Sequence, residues 1–343
     1  VDGHPEPLRA LAVNSATSGL HLALEAAGVG PGDEVIVPTW TFTASAEVVR
    51  YLGATPVLVD VHKDSLNMDV AAVEAAVTSR TKVIMPVHMA GLSVDMAPIR
   101  LLADKRGIHI VEDAAHALPT RTREGLVGSG ESFATVFSFY ATKTMTTGEG
   151  GMVVSRNPDA IARMKVMRLH GIDRDAFARY QSDRPAWAYE VIAPGYKYNM
   201  TDVAAAIGRV QLRRSPEFHK RRCEIATYYL EQLRDYPIEL PSTGDQLDHH
   251  AWHLFIARTV PTSAVKRDEV IAQLFSKGIG CSVHFIPLHM HPYWRDSLQS
   301  PAGGFPHADE VFPRVFSLPI HTLMTDAEVE YVTEAVKTVL CGA

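Results

Sequence analysis

The segment Gly32–Val61, GDEVIVPTWTFTASAEVVRYLGATPVLVDV, sets a helical stretch between two short apolar runs, and this order decides the fold. Glu34–Val37 and Pro56–Val61 are continuous and rich in β-branched residues, while Ala44–Leu52 has a helical pattern. A strand apolar on both faces is buried on both faces, as in a parallel or mixed sheet sandwiched by helices. The alternation extends outward from this segment. Further strands are expected at Lys82–Val87, Ile108–Glu112, Thr135–Phe139 and Gly151–Ser155, with helices at Gly19–Ala27, Met68–Val77 and Met96–Lys105. Repeated strand–helix order indicates an α/β layer fold.

A loop-rich stretch interrupted by Pro and Gly runs from about Gly171 to Tyr198. Loops this long inside a compact protein are usually functional or cover a partner. A helix at Thr201–Leu212 follows, then a longer charged one from about Pro216 to Arg234. Beyond it the pattern changes, with a strand at His253–Val260, a helix at Lys266–Lys277, a strand at Ser282–Ile286 and a closing amphipathic helix at Asp326–Leu340. The expected division is a large α/β domain over 1–215 and a small C-terminal α+β domain over 216–343.

The 343 residues are 46% hydrophobic and 21% charged, which gives ample material for a core. A net charge of −6 without any Lys/Arg-rich block argues against a nucleic-acid partner. Three scattered cysteines, Cys223, Cys281 and Cys341, form neither a disulfide framework nor a Cys-based zinc site. No run approaches a membrane span. The opening Val1-Asp2-Gly3-His4-Pro5 lacks signal-peptide character, so a cytoplasmic location is expected.

Four segments carry chemistry. In Phe137–Gly151, FSFYATKTMTTGEGG, Lys143 follows a buried strand, where open α/β sheets bind ligands. A desolvated lysine there offers a neutral amine for a Schiff base, although alone it also reads as a surface lysine in a turn. In Ile110–Ala117, IVEDAAHA, Asp113 ends an apolar strand, a costly place for a carboxylate unless a cation meets it. A protonated pyridine nitrogen is such a cation; helix capping by Asp113 and a structural role for His116 are the alternatives. Ser15, Thr17 and Ser18 open an apolar helix whose free N–H groups suit a phosphate or simply a cap. Trp40 and Phe42 follow a strand, and an aromatic face there either stacks on a planar cofactor or packs in the core. Together these segments supply every group that pyridoxal 5′-phosphate (PLP) requires.

Along nearly its whole length the chain resembles the fold-type I PLP enzymes of the DegT/StrS sugar aminotransferase family. The resemblance is carried by NSATSGLHLAL, GDEVIVPTWTF, VEDAAHA, FSFYATKTMTTGEGGMV, APGYKYNMTDVAAAIG, HAWHLF and SVHFIPLH, in that order. GYKYNMTD and EDAAHA point to the ArnB-like and PseC-like branch, which aminates the 4-keto position of UDP-sugars. The resemblance implies Lys143 as the Schiff-base lysine and proton shuttle, and Asp113 at the ring nitrogen. It implies His116 near the phenolic oxygen, Thr17, Ser18 and Ser138 on the phosphate, and Phe42 stacked on the ring. Asn199 would reach the phosphate in a neighbouring subunit, making a homodimer with shared active sites. His253, His284 and Phe285 would line the sugar-nucleotide side. Family members also carry an N-terminal helix and a Gly/Thr-rich loop before the NSAT segment. The thirteen residues preceding Asn14 do not resemble that loop; were that segment truly absent, part of the substrate pocket would be incomplete.

The reaction implied is ping-pong. L-Glutamate gives up its amino group and leaves as 2-oxoglutarate, and a nucleotide-linked keto sugar then receives that group. A PLP/PMP sugar dehydratase is the first alternative, but related dehydratases replace the lysine with histidine. The second is a non-catalytic PLP-fold sensor or regulatory protein, against which Lys143, Asp113 and the phosphate cradle stand together. No metal is expected, since His289 and His291 lack a third ligand at suitable spacing.

Overall fold

The computed structural model describes residues 6–173, 187–298 and 300–341. Part of the expected loop-rich stretch, residues 174–186, lies outside them, as does the Val1–Pro5 opening. The first half of the chain runs β1 (Arg9–Val13), α1 (Ala16–Ala26), β2 (Glu34–Pro38), α2 (Ala44–Tyr51), β3 (Thr55–Val59), α3 (Val70–Ala76), β4 (Thr81–Ile84), α4 (Met96–Arg106) and β5 (His109–Asp113). A two-residue hairpin, β6 (Arg121–Thr122) and β7 (Gly125–Leu126), precedes β8 (Ala134–Ser138), β9 (Gly151–Ser155) and α5 (Pro158–Met167).

Seven of these strands form one sheet in the order β1-β9-β8-β5-β4-β2-β3. From β3 through β8 every neighbouring pair is parallel, and β9 runs antiparallel between β8 and β1. Strands β2 and β8 are buried at every position, as continuous apolar runs require. The sheet is thus mostly parallel and sandwiched by helices, as expected of fold type I. Helix α1 lies close against it. A Cβ on Gly19 would come within 2.7 Å of Val136 Cγ1 and 3.0 Å of Val153 Cγ2.

The chain continues as α6 (Asp202–Leu233), β10 (Ile238–Glu239), β11 (Phe255–Thr259), α7 (Arg267–Ser276), α8 (Pro292–Ser297), α9 (Pro306–Val311), β12 (Val315–Leu318) and α10 (Asp326–Cys341). Strands β10, β11 and β12 form an antiparallel sheet. It shares a second core with α6, α7 and α10 that includes Tyr229, Phe255, Phe316 and Val336.

Three expectations are corrected. The two helices expected at Thr201–Leu212 and Pro216–Arg234 are one 32-residue helix, with Pro216 inside it. Proline cannot supply the N–H that the Leu212 carbonyl would accept. Ser215 Oγ donates to that carbonyl instead, at 2.9 Å, so the helix continues. Ser282–Ile286 is not a strand, because only Ser282 bridges, to Ser317. The boundary expected at residue 215 falls inside α6, and Trp294, Phe305, Ala308 and Val311 pack into the core of the large sheet. Among the described residues no helix is long and apolar enough to cross a membrane.

Candidate active site

The carboxyl ends of β2, β5 and β8 and the start of α1 converge on a cavity of about 660 Å³. That size is typical of small-molecule sites. Its wall includes Ser15, Ala16, Thr17, Phe42, Asp113, His116, Ser138, Lys143, His253, His284 and Phe285. Residues from Ser15 to Ser317, far apart in sequence, therefore meet at one place.

Asp113 ends β5, and its side chain is buried. Ser45 Oγ donates to Oδ2 at 2.8 Å, and the Ala115 N–H donates to Oδ1 at 3.1 Å. Burial raises its pKa, while those two donors and the nearby Lys143 ammonium work against the rise. Among the described residues no ion pair reaches it. A carboxylate has about four acceptor positions, so Asp113 retains room for a further cationic donor.

Lys143 sits half-buried in the loop after β8. Desolvation lowers its pKa to about 8, against the opposing attraction of Asp113. Labelling of the cofactor-free protein at Lys143 by an amine-reactive reagent, read by peptide mass, should therefore rise with pH and level off above about pH 8. A rate that keeps climbing to 10.5, the ordinary lysine value, is the contrary result.

Three histidines surround this amine. His116 and His253 are buried with ring centroids 4.4 Å apart, and burial holds both pKa values well below the usual imidazole range. His284 pairs its Nδ1 with Ser317 Oγ at 2.9 Å, and burial lowers its pKa to about 4. All three are neutral at neutral pH. Phe285 approaches both His116 and Phe42, at 5.9 and 5.6 Å between centroids. Phe42 is 57% exposed, so it offers a ring face to a ligand rather than to the core.

The start of α1 is built as an anion site. Ser15 caps the helix and Ser18 completes the capping box. The N–H groups of Ala16 and Thr17, at the first two helical positions, have no intrahelical acceptor and line the cavity. Ser138 Oγ accepts from the Tyr140 N–H at 3.3 Å and keeps its own proton to donate. Gly151 lets this end of α1 approach, because a Cβ there would lie 2.8 Å from the Ser15 carbonyl carbon. The donor set fits PLP: an amine, a buried carboxylate with acceptor capacity, a helix start with two hydroxyls, and an exposed aromatic face.

Two of the expected cofactor residues are not on this wall, and one of them, Asn199, is expected at a neighbouring subunit's site. Ser18 does not line the cavity, because its hydroxyl serves Asn14 Oδ1 at 2.7 Å and the capping box. Asn199 does not line it either; it sits on the edge of β1, bridging Val13. The sequence reading had not picked out Ser45 or the pair behind Asp113. On the opposite face of β5, His88 Nδ1 accepts the Val94 N–H at 3.1 Å. Its Nε2–H must then donate to Glu112, at 2.8 Å, and Thr135 donates to the same carboxylate at 2.9 Å. Burial opposes charge on Glu112, but these donors hold its pKa below the usual range. Nothing in a lone Glu before an Asp announces this arrangement. Glu112→Gln is expected to cost about 1–3 kcal/mol of stability through a mismatched buried hydrogen bond, while leaving turnover largely intact. Chemical denaturation and steady-state rates check this, and unchanged stability contradicts it. Away from the cavity, His289 pairs Nδ1 with Thr39 Oγ1 and Nε2 with Asp309.

Comparison with known proteins identifies the family of the chain. The profile of the DegT/DnrJ/EryC1/StrS aminotransferase family matches residues 6–337. The spore coat polysaccharide biosynthesis protein SpsC of Bacillus subtilis is 44% identical over 97% of this chain and 86% of its own. The putative sugar aminotransferase Spr1654 of Streptococcus pneumoniae, solved in its PLP form, superposes with TM-score 0.88 at 34% identity over 98% of this chain and 88% of that one. Helicobacter pylori PseC, an aminotransferase involved in pseudoaminic acid biosynthesis, gives TM-score 0.88 at 27% identity over 98% and 87%. On the strength of the matched profile and these relatives, the chain belongs to the DegT/DnrJ/EryC1/StrS family of PLP-dependent sugar aminotransferases.

Proposed function

We propose that the protein moves the amino group of L-glutamate to a keto carbon, at the 4-position, of a nucleotide-linked sugar. The observation that carries this reading is the convergence of Lys143, Asp113 and the start of α1 on one cavity. A second cleft of about 750 Å³ shares Thr41, Phe42 and Phe285 with it and is lined by Arg50, Tyr51 and Tyr293. This extension supports a substrate larger than a bare sugar, with an aromatic and an anionic part. Glutamate and the 4-keto position follow from the family resemblance.

Bound PLP supplies an electrophilic carbonyl and an electron sink for the broken C–H bond. The chain supplies the rest. Lys143 would hold the cofactor, and its Nζ would take the proton from the donor's Cα in the first half-reaction. In the second it would supply a proton to the sugar carbon that had carried the keto oxygen. Asp113 would meet the ring nitrogen with negative charge. Thr17, Ser138 and the first N–H groups of α1 would hold the phosphate, with Ser18 acting through the cap. Phe42 would lie against the ring. The neutral rings of His116, His253 and His284 leave Lys143 without a competing cation, and His116 would be the one beside the cofactor's phenolic oxygen.

The active unit proposed is a homodimer with Asn199 entering the neighbouring site. Val203, Ile207 and Val210 form an exposed apolar stripe on α6 just after Asn199, which supports a partner there. Mixing Asn199→Ala with Lys143→Ala protein should restore activity that neither has alone, since hybrids carry one intact site. Substrate choice is tested with PLP-loaded protein, L-glutamate and a panel of 3-keto and 4-keto sugar nucleotides, scored by amino-sugar formation. Turnover of free keto sugars equal to that of their nucleotide forms contradicts the proposal.

A further inference from the structure

Asp113 is gripped from α2 as well as from the turn that follows its own strand. Ser45, in the first turn of that helix and fully buried, donates to Asp113 Oδ2 at 2.8 Å. The same hydroxyl meets Thr41 Oγ1 at 2.8 Å. A hydroxyl carries one proton, and an ionised carboxylate only accepts. Ser45 has committed its proton to Asp113, so Thr41 must be the donor in the second contact. The chain of hydrogen bonds runs one way, from Thr41 through Ser45 to Asp113. It starts and ends on the cavity wall, because Thr41 and Asp113 both line it. Thr41 is 2% exposed and Ser45 0%, so bulk water does not stand in for either donor.

We propose that Thr41 and Ser45 are positioning residues, a directional hydroxyl relay that keeps Asp113 ionised and fixed in the rotamer it presents to the cavity. The inference rests on the PLP reading above, since it concerns how the carboxylate is readied for the ring nitrogen. Burial works against charge on Asp113. The titratable group facing it is Lys143, from the loop after β8, which favours its ionised form; His88, from the turn after β4, lies behind β5 and is turned to Glu112. On its own segment, Glu112 is turned to His88 and Thr135, and His116 is neutral. Helix α2 contributes the Ser45 hydroxyl. Hydrogen bonds to a charged acceptor are stronger than neutral ones, so losing this donor acts directly on the carboxylate.

The sign follows. Removing a donor from an ionised carboxylate raises its pKa, and the site works only while Asp113 is ionised. The acid limb of the pH profile therefore moves upward. In the holoenzyme, Ser45→Ala should raise the midpoint of the acid limb of kcat by about one pH unit, with Thr41→Val shifting it less in the same direction. The pH at which the visible band of the bound cofactor changes should move in parallel, which gives a readout independent of turnover. Thr41→Ser and Ser45→Thr, which keep the hydroxyls, should remain at the wild-type midpoint. Unshifted midpoints in Ser45→Ala and Thr41→Val overturn the relay, as does an equal shift in Thr41→Ser. Should Ser45→Ala fail to fold, the near-isosteric Thr41→Val decides alone. A wild-type protein without a visible band contradicts the PLP reading itself, whereas a normal wild-type band with unshifted variants contradicts only the relay.

Discussion

Lys143→Ala is expected to lower kcat by about 10⁴-fold, the upper end of what one positioned acid–base group contributes. The side chain has two duties in the proposed reaction, holding the cofactor and carrying the proton at the reacting carbons. Its surroundings suit both. Burial brings the amine to about 8, so roughly a tenth is neutral at pH 7, far more than for an ordinary lysine. The three nearest imidazoles stay uncharged and do not compete for protons. Lys143→Arg should be equally inactive, because a guanidinium keeps its proton throughout the physiological range. A small primary amine added to Lys143→Ala should restore part of the rate, and its effectiveness should follow the amine's basicity. Single-turnover measurements with L-glutamate check these outcomes. Either variant retaining turnover within about tenfold of wild type contradicts the role.

Asp113→Asn should lower kcat by about 10²–10³-fold, comparable with removing one preorganised electrostatic group from an active site. The substitution keeps shape and one acceptor oxygen, so Ser45 and the Ala115 N–H lose at most one partner between them. What disappears is negative charge. Without it a protonated ring nitrogen loses its buried counter-ion, since the other carboxylate on the wall, Glu149, is exposed to solvent. Cofactor affinity should change far less than turnover, since the phosphate end is held at α1, by different residues. Equilibrium titration with PLP separates the two effects. Equal losses in affinity and in kcat would assign Asp113 to binding alone.

Much of this site was legible because its groups follow strand ends. Asp113, Ser138 and Phe42 follow apolar runs that could be placed from sequence, and the sheet then carries them to one edge. Lys143 became specific only in company with them. The segments that escaped were those whose partners lie far away in sequence. Ser45 looks like an ordinary residue in the first turn of a helix, and only the parallel arrangement of β2, β4 and β5 brings α2 beside Asp113. His88 and Glu112 are 24 residues apart and meet across the same sheet. Ser18 looked like a phosphate ligand because capping and anion binding draw on the same residue types, and here capping takes its hydroxyl. Pro216 looked like a helix start, and Ser215 supplies the missing hydrogen bond that lets α6 pass through it. Strand β1 was missed because Arg9–Val13 is short and only partly buried, and it owes its place to pairing with β9.

The most direct test of the central claim is an absorbance spectrum of purified wild-type protein with added PLP, taken before and after L-glutamate. Wild-type protein should show a visible band from the Lys143-linked cofactor that glutamate bleaches, with 2-oxoglutarate appearing in equal amount, and Lys143→Ala should show no such band. A wild-type protein that binds PLP without forming the band, or forms a band that glutamate leaves untouched, would contradict the claim.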